Sequence, residues 1–381
     1  MKLLFFTGSR GEWGYLRPIL EICKKNKINF KLCVTNMHLL DSYGLSIREI
    51  EKDGFKVDEK LYMALDGYNS YTMTKSMGVL MTSFVDTIDR IRPDWIILAG
   101  DRGETLIAAI VSAYTNVPIA HIQAGELSGV IDGQARHAIG KFSNLHFASN
   151  SDAAKRLIRL GEEKFRVKSV GAPQLDDLYK NINQYKKTSI IKNKYNVDIK
   201  KEDYILVIYH PPQLKIESMK KDFKIIFSFL KTMKEKKIWI SPNNDAGSTI
   251  IKSEFERCRG ADDYFFDNLP RNEYLVLLKN SKCILGNSSS GIIESSTFKV
   301  PCINLGFRQH GRLKPKNVID VLKIEQSKLK NAYNLSQSKK FKKVIKNIIN
   351  PYGDGNSSQK IINLLKRTKI DKKLMFKKLT Y

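Results

Sequence analysis

Short apolar runs alternate with amphipathic stretches along most of the chain. In the first half the runs are Lys2–Thr7, Phe30–Thr35, Trp95–Ala99, Ile119–Ile122, His146–Ala148 and Val167–Val170. Each is too short for a helix and is bounded by turn residues, which reads as a strand buried on both faces. Between them, helical spacing covers Leu16–Lys25, Ser70–Ile91, Glu104–Tyr114 and Ser151–Leu160. Asn150 and Ser151 are both suited to cap the last of these. After a polar, Lys-rich stretch around 180–203 a second series begins. Its strands are Tyr204–Tyr209, Lys237–Ile240, Tyr264–Phe266, Cys283–Gly286 and Pro301–Leu305, and its helices Asp222–Lys236 and Arg271–Asn280. Strand and helix in alternation imply an α/β protein built of two doubly wound parallel sheets, with ligands expected in the crevice at the carboxyl ends of the strands. The expected domains are 1–180 and 181–365, followed by a helical tail at 366–381.

Composition narrows the class. The chain has 381 residues, 42% hydrophobic and 27% charged, the balance of a globular protein with real cores. No apolar run approaches the roughly 18 residues of a membrane helix, and Leu3–Phe6 is too short for the core of a signal peptide. No membrane association is expected. The five cysteines are scattered, odd in number and never in a CxxC, so they read as thiols of a reducing cytoplasm. No metal-ligand spacing is present and no metal is expected. Net charge is +26, unevenly placed: residues 1–170 hold 23 Lys and Arg against 19 acidic residues, and residues 171–381 hold 42 against 20. A lysine-decorated surface or attraction of a phosphorylated ligand both fit this excess. Nucleic acid fits less well, because aromatic interleaving and recognised modules are lacking.

The polar residues that could carry chemistry sit at strand ends. The first strand runs into Thr7-Gly8-Ser9-Arg10-Gly11-Glu12-Trp13-Gly14, a turn open to an anion but neither GxGxxG nor a P-loop. The third ends in Gly100-Asp101-Arg102-Gly103-Glu104, where Asp101 is either a helix cap or a carboxylate facing the crevice. The fourth leads into Gln123-Ala124-Gly125-Glu126, then Asp132, Arg136 and His137. Converging carboxylates repel, which raises the pKa of at least one and suits it to general acid–base work. In the second half His210 follows a strand directly, and the loop after Ile240 contains Asn243. Gly286-Asn287-Ser288-Ser289-Ser290-Gly291 reads as an oxyanion site at a helix start, with Glu294 one turn inside to take ribose hydroxyls. Arg308 follows the last strand and suits a diphosphate.

Taken together, these segments resemble the hydrolysing UDP-N-acetylglucosamine 2-epimerases of sialic- and legionaminic-acid synthesis. The motifs are TGSRGEWG, VTNMHL (Val34–Leu39, including His38), GDRGE, HIQAGELSG with the following Asp132 and Arg136-His137, VGAPQLDDL, HPP, PNNDAGS, GNSSSGIIE, INLGFRQHGR and PYGDGNSSQKI. The resemblance implies two Rossmann-like domains in the B-type glycosyltransferase arrangement, a cytoplasmic homodimer or homotetramer, no cofactor, and a nucleotide-sugar substrate. It implies Asp101, Glu126 and Asp132 as the acid/base set, and Arg10, His38, His210, Asn243, Ser288, Ser289, Glu294 and Arg308 as substrate- and nucleotide-binding residues. Many members of that family have Glu where this chain has Gln123, which cannot take a proton at neutral pH. The acid/base duty would then fall on the three carboxylates. The wording of GSRGEWGYLRP, HIQAGELSG and VGAPQLDDL is similar to members acting on 2,4-diacetamido-2,4,6-trideoxy sugars. A glycosyltransferase of the same architecture and a non-hydrolysing 2-epimerase are the alternatives.

Overall fold

A computed structural model describes residues 1–66, 69–128, 131–211, 216–242, 248–260, 263–267, 269–378 and 380. The chain divides into two compact units. Met1–Leu127, Ile131–Lys180 and Tyr352–Tyr381 form the first, and Asn181–Pro351 the second.

The first unit is built on seven parallel strands: β1 (Lys2–Thr7), β2 (Asn29–Thr35), β3 (Glu59–Leu61), β4 (Trp95–Ala99), β5 (Ile119–Ala124), β6 (Leu145–Ala148) and β7 (Val167–Ser169). They lie in the order β3-β2-β1-β4-β5-β6-β7. The order reverses between β1 and β4, which pair in register Leu3 with Trp95 and Phe5 with Ile97. At this switch point the turn after β1 lies beside the turn after β4. Leu3, Leu4, Phe5 and Phe6 are all buried, because successive side chains enter cores on opposite faces of the sheet. Helix Arg10–Lys25 starts at Ser9 with a capping box to Glu12 and turns Trp13, Leu16, Ile19, Leu20 and Cys23 inward.

The second unit repeats the plan with six parallel strands: β8 (Tyr204–Ile208), β9 (Lys236–Ile240), β10 (Asp263–Phe266), β11 (Cys283–Gly286), β12 (Cys302–Leu305) and β13 (Val318–Val321). Their order is β10-β9-β8-β11-β12-β13, with the switch point between β8 and β11. Its core is aromatic: Phe227 stacks on Trp239 at 5.2 Å, and Phe255 meets both.

Two short strands, β3 and β13, escaped the sequence reading, and both stand at sheet edges. A larger departure concerns the end of the second domain, expected at 365. The chain leaves the second unit at 351, and residues from Tyr352 on belong to the first. Helix Ser357–Arg367 buries Ile361, Ile362 and Leu365 in the same core as the helix Arg10–Lys25. The Asp176 carboxylate caps its start, accepting from Ser357 N at 3.0 Å and Ser358 N at 2.6 Å. Beyond it, the short helix Lys372–Met375 is held by Arg166. This fully buried guanidinium donates to Asn144 O and Leu374 O through Nη1, and to Lys373 O and Phe376 O through Nη2. Its Nε donates to Glu163 at 2.7 Å. All five of its donors are therefore used.

Candidate active site

In the first unit the polar residues gather at the carboxyl ends of β1, β4, β5 and β6. Asp101, in the turn after β4, pairs with Arg136 of helix Ile131–Phe142. The same guanidinium donates through Nη1 to the carbonyl of Gln123 at 2.8 Å. One buried cation thus fixes the turn after β4 to the end of β5. Asp132 stands four residues ahead of Arg136, one helical turn away on the same face. Gln123, one residue before the end of β5, has φ +64°, and its side-chain amide donates to Gln174 at 3.1 Å. His121 Nε2 faces the Gly100 carbonyl at 2.7 Å. Burial pushes this imidazole down to about 3, so it is a neutral donor that braces the turn carrying Asp101. Glu126 is buried and accepts from Ser149 and Asn150. It joins the loop after β5 to the end of β6.

A second cluster lies between the turns after β1 and β4, and the sequence reading did not single it out. Glu12 Oε2 accepts from Gly8 N at 2.6 Å and Ser9 N at 3.1 Å, and its Oε1 accepts from Thr105 Oγ1 at 2.8 Å. Glu104 accepts from Arg102 Nε at 3.0 Å and Asn36 Nδ2 at 2.9 Å. Both carboxyls are buried. Burial, reinforced by the charge of Glu104, pushes Glu12 up to about 8. Burial acts the same way on Glu104, but Arg102 and Asn36 overcome it and hold that carboxyl below its ordinary value. Arg10, half-buried, opens the helix beside them, and burial lowers its pKa against the opposing charge of Glu49.

His38 departs from its expected ligand role. It is fully buried, with Nε2 at 3.0 Å from Thr7 Oγ1 and Nδ1 at 2.8 Å from Ser46 Oγ. Burial lowers it to about 4. With both ring nitrogens engaged, it ties the ends of β1 and β2 together and has none left for a ligand.

In the second unit the organiser is Asn287, which the sequence reading passed over. Its side chain accepts from His210 N at 2.7 Å and donates to His210 O at 2.8 Å. Its own carbonyl receives Arg308 Nη1 at 3.3 Å and Gln309 Nε2 at 2.9 Å. One asparagine therefore gathers the expected phosphate-binding residues His210 and Arg308 beside Ser288 and Ser289. Those two serines are partly exposed. The approach depends on Gly286, whose φ is +144° and where an added Cβ would lie 1.9 Å from Ile208 O. The helix expected after the serines is a single turn, Ser290–Ile293. It provides hydroxyls and amides without a substantial dipole. Glu294, expected to take a ribose, has both oxygens engaged, by Arg271 at 2.7 Å and by Ser290. Asn243 lies outside the described residues. Among those described, no group of three or more His, Cys, Asp or Glu could hold a metal ion, and no helix is long and apolar enough to cross a membrane.

The family model for UDP-N-acetylglucosamine 2-epimerase matches residues 20–366. The chain belongs to this family. Among its relatives is the hydrolysing UDP-N,N'-diacetylbacillosamine 2-epimerase of Legionella pneumophila, 33% identical over 99% of this chain and 98% of that protein. The hydrolysing GDP/UDP-N,N'-diacetylbacillosamine 2-epimerase of Campylobacter jejuni is 36% identical over 90% of this chain and 88% of that one. The crystal structure of UDP-GlcNAc 2-epimerase from Neisseria meningitidis bound to UDP-GlcNAc matches with a TM-score of 0.83, covering 97% of this chain and all of that one at 20% identity. This last likeness establishes the shared fold. The epimerase family, the two parallel sheets and the polar strand ends expected from sequence all stand.

Proposed function

We propose that this epimerase-family chain hydrolyses an NDP-linked 2,4-diacetamido-2,4,6-trideoxy sugar of gluco configuration. The products would be the free 2-epimer and NDP, for synthesis of legionaminic-acid-type sugars. The observation that carries this reading is the near full-length match, at one-third identity, to a hydrolysing diacetylbacillosamine epimerase. A cytoplasmic homodimer or homotetramer is part of the same reading.

The chemistry follows from the groups at the strand ends. A carboxylate takes the proton from C2 of the sugar while the bond from C1 to the diphosphate oxygen breaks, leaving a 2-acetamidoglucal and NDP. Water then adds across the double bond, its hydroxyl at C1 and a proton at C2 on the opposite face. Asp101, oriented by Arg136, and Asp132, one turn ahead of that arginine, are the residues we assign to proton transfer at C2. Glu126, whose Oε1 accepts from Ser149 and Asn150, completes the acid/base set. Arg308, His210, Ser288 and Ser289 would receive the negative charge that develops on the departing diphosphate.

The test is incubation with UDP- and GDP-linked diacetamido-trideoxyglucose and with UDP-GlcNAc in deuterated water. Released NDP and deuterium at C2 of a free sugar are expected, with the diacetamido substrates turned over faster. D101N should lower kcat at least about a hundredfold, as for loss of a general acid–base group. Sugar passed to an acceptor without deuterium at C2 would make the chain a glycosyltransferase instead. An intact epimerised nucleotide sugar would make it a non-hydrolysing epimerase.

A further inference from the structure

We propose that the helix Ser70–Ile91 is a contact between two copies of this chain, packed antiparallel against its counterpart about a two-fold axis near Thr82. The proposal rests on the oligomer of the reading above and gives it a surface. It does not depend on the identity of the sugar or the nucleotide.

Charge singles out this face. Lys and Arg make up 65 of the 381 residues, yet none falls between positions 76 and 89 or in the neighbouring helix Gly103–Tyr114. The two helices bury their inner sides in one core and leave Val79, Val85 and Tyr114 exposed, the last at 82%. Copies of a chain with net charge +26 repel each other, and an apolar face without cations is where they can meet.

The helix carries a seam. Lys75, Gly78, Thr82, Val85 and Asp89 are all exposed and fall three and four residues apart, the spacing of a coiled-coil contact. Glycine is a poor helix former, and packing within the chain does not call for Gly78: among the described residues, nothing lies within 4 Å of where its Cβ would sit. Gly103 contrasts with it, since Met77 fills the place of its Cβ. A glycine on an open helix face lets a second backbone approach closely. Thr82 and Ser83 each donate to the Val79 carbonyl at 2.9 Å, so both hydroxyls are satisfied without water. The ends of the seam decide what covers it. Lys75 and Asp89 stand seven residues to either side of Thr82, roughly 10 Å each way. An antiparallel second copy sets Lys75 of each chain against Asp89 of the other, whereas a parallel one would set like charges together. Asp89 is open to this, because within the chain it meets only the exposed Arg92, at 3.8 Å. A face that complements itself in this way selects a second copy of the chain.

The test is sedimentation velocity of the full chain and the variants G78R, D89K and K75D/D89K, with cross-linking of T82C. The unmodified chain should be at least a dimer at about 10 μM. G78R, which has open space for its side chain and a better helix former in place of glycine, should stay folded and split that contact, giving a monomer from a dimer or a dimer from a tetramer. D89K should raise the dissociation constant about tenfold by setting like charges together at both ends, and K75D/D89K should restore it to within a few-fold. Mild oxidation should convert T82C to a covalent dimer, and the same treatment of K360C, exposed on another helix, should not. A monomeric unmodified chain, an assembly that G78R leaves whole, or a T82C chain that cross-links no faster than K360C would overturn the proposal. Should G78R fail to fold, the T82C comparison still decides. Release of NDP is measured separately: turnover by a monomer would sink this contact alone, and a dimer without turnover would sink the functional reading alone.

Discussion

Replacing Arg166 by Ala removes five donors at once from the segment that returns to the first unit. The magnitude can be worked from its partners. Each hydrogen bond to a charged group is worth roughly 1.5–3 kcal/mol, but the acceptors differ in what remains to them. Leu374 O keeps a second donor, Asn144 Nδ2 at 3.1 Å. Lys373 and Phe376 lie toward solvent, and their carbonyls can turn to water. Asn144 O, buried, loses its side-chain donor, and Glu163 loses its cation. The sum of the individual bonds therefore overstates the cost, and about 3 kcal/mol remains, within the range for breaking a buried pair. The loss is local, so hydrogen exchange of the peptide spanning residues 370–378 is the fitting assay. Exchange there should speed up about a hundredfold, since each 1.4 kcal/mol is roughly a factor of ten. Arg166→Lys should recover only part, because an ammonium cannot span four carbonyls and a carboxylate in one plane. An unchanged exchange rate in the Ala variant would show that apolar contacts alone hold the segment, and would refute the reasoning.

Two further expectations concern stability. Glu162 is buried and bound by His146 at 2.9 Å, Lys377 at 2.8 Å and Lys141 at 3.2 Å. Burial alone would raise its pKa, but these partners lower it from 4.5 to about 2. A depressed carboxylate stabilises the fold above its ordinary pKa, and that contribution is lost as pH falls from 4.5 toward 2. Glu162→Gln should therefore cost up to about 3 kcal/mol at neutral pH, and the gap to the unmodified chain should close below pH 4 in urea titrations. Gly286→Ala should cost at least about 4 kcal/mol or prevent folding, since its Cβ would strike Ile208 O. Gly306→Ala, at φ +68° with open space around it, should cost only about 1 kcal/mol. Equal melting temperatures for these two variants would contradict the packing argument.

The strands that form both sheets were legible because runs such as Leu3–Phe6 and Ile205–Ile208 are apolar at every position, which only a doubly covered parallel strand requires. β3, three residues long and buried only at Leu61, offers no such run, and β13 keeps only Val321 buried. The site was legible as a set of strand ends but not as a set of roles. Nothing in GNSSSG marks Asn287 as the residue that reaches His210. That follows from β8 pairing with β11, a contact between residues some 77 positions apart in the chain. His38 entered the expected site only through the family motif VTNMHL, which does not tell that both of its ring nitrogens are engaged, by Thr7 and Ser46. Glu12 was hidden by its place in a capping box, a common enough reason for a glutamate there. Nothing in the residues Ile361, Ile362 and Leu365 says which unit covers them.

The return of residues 352–376 has a consequence for synthesis. Ile361, Ile362, Leu365 and Leu374 complete the core that Leu3 and Phe5 begin. A ribosome adding roughly 5–20 residues each second releases the whole second unit before those four side chains emerge. The unit translated first is thus the one finished last, and until then its helix Arg10–Lys25 waits in the cell with an apolar flank uncovered.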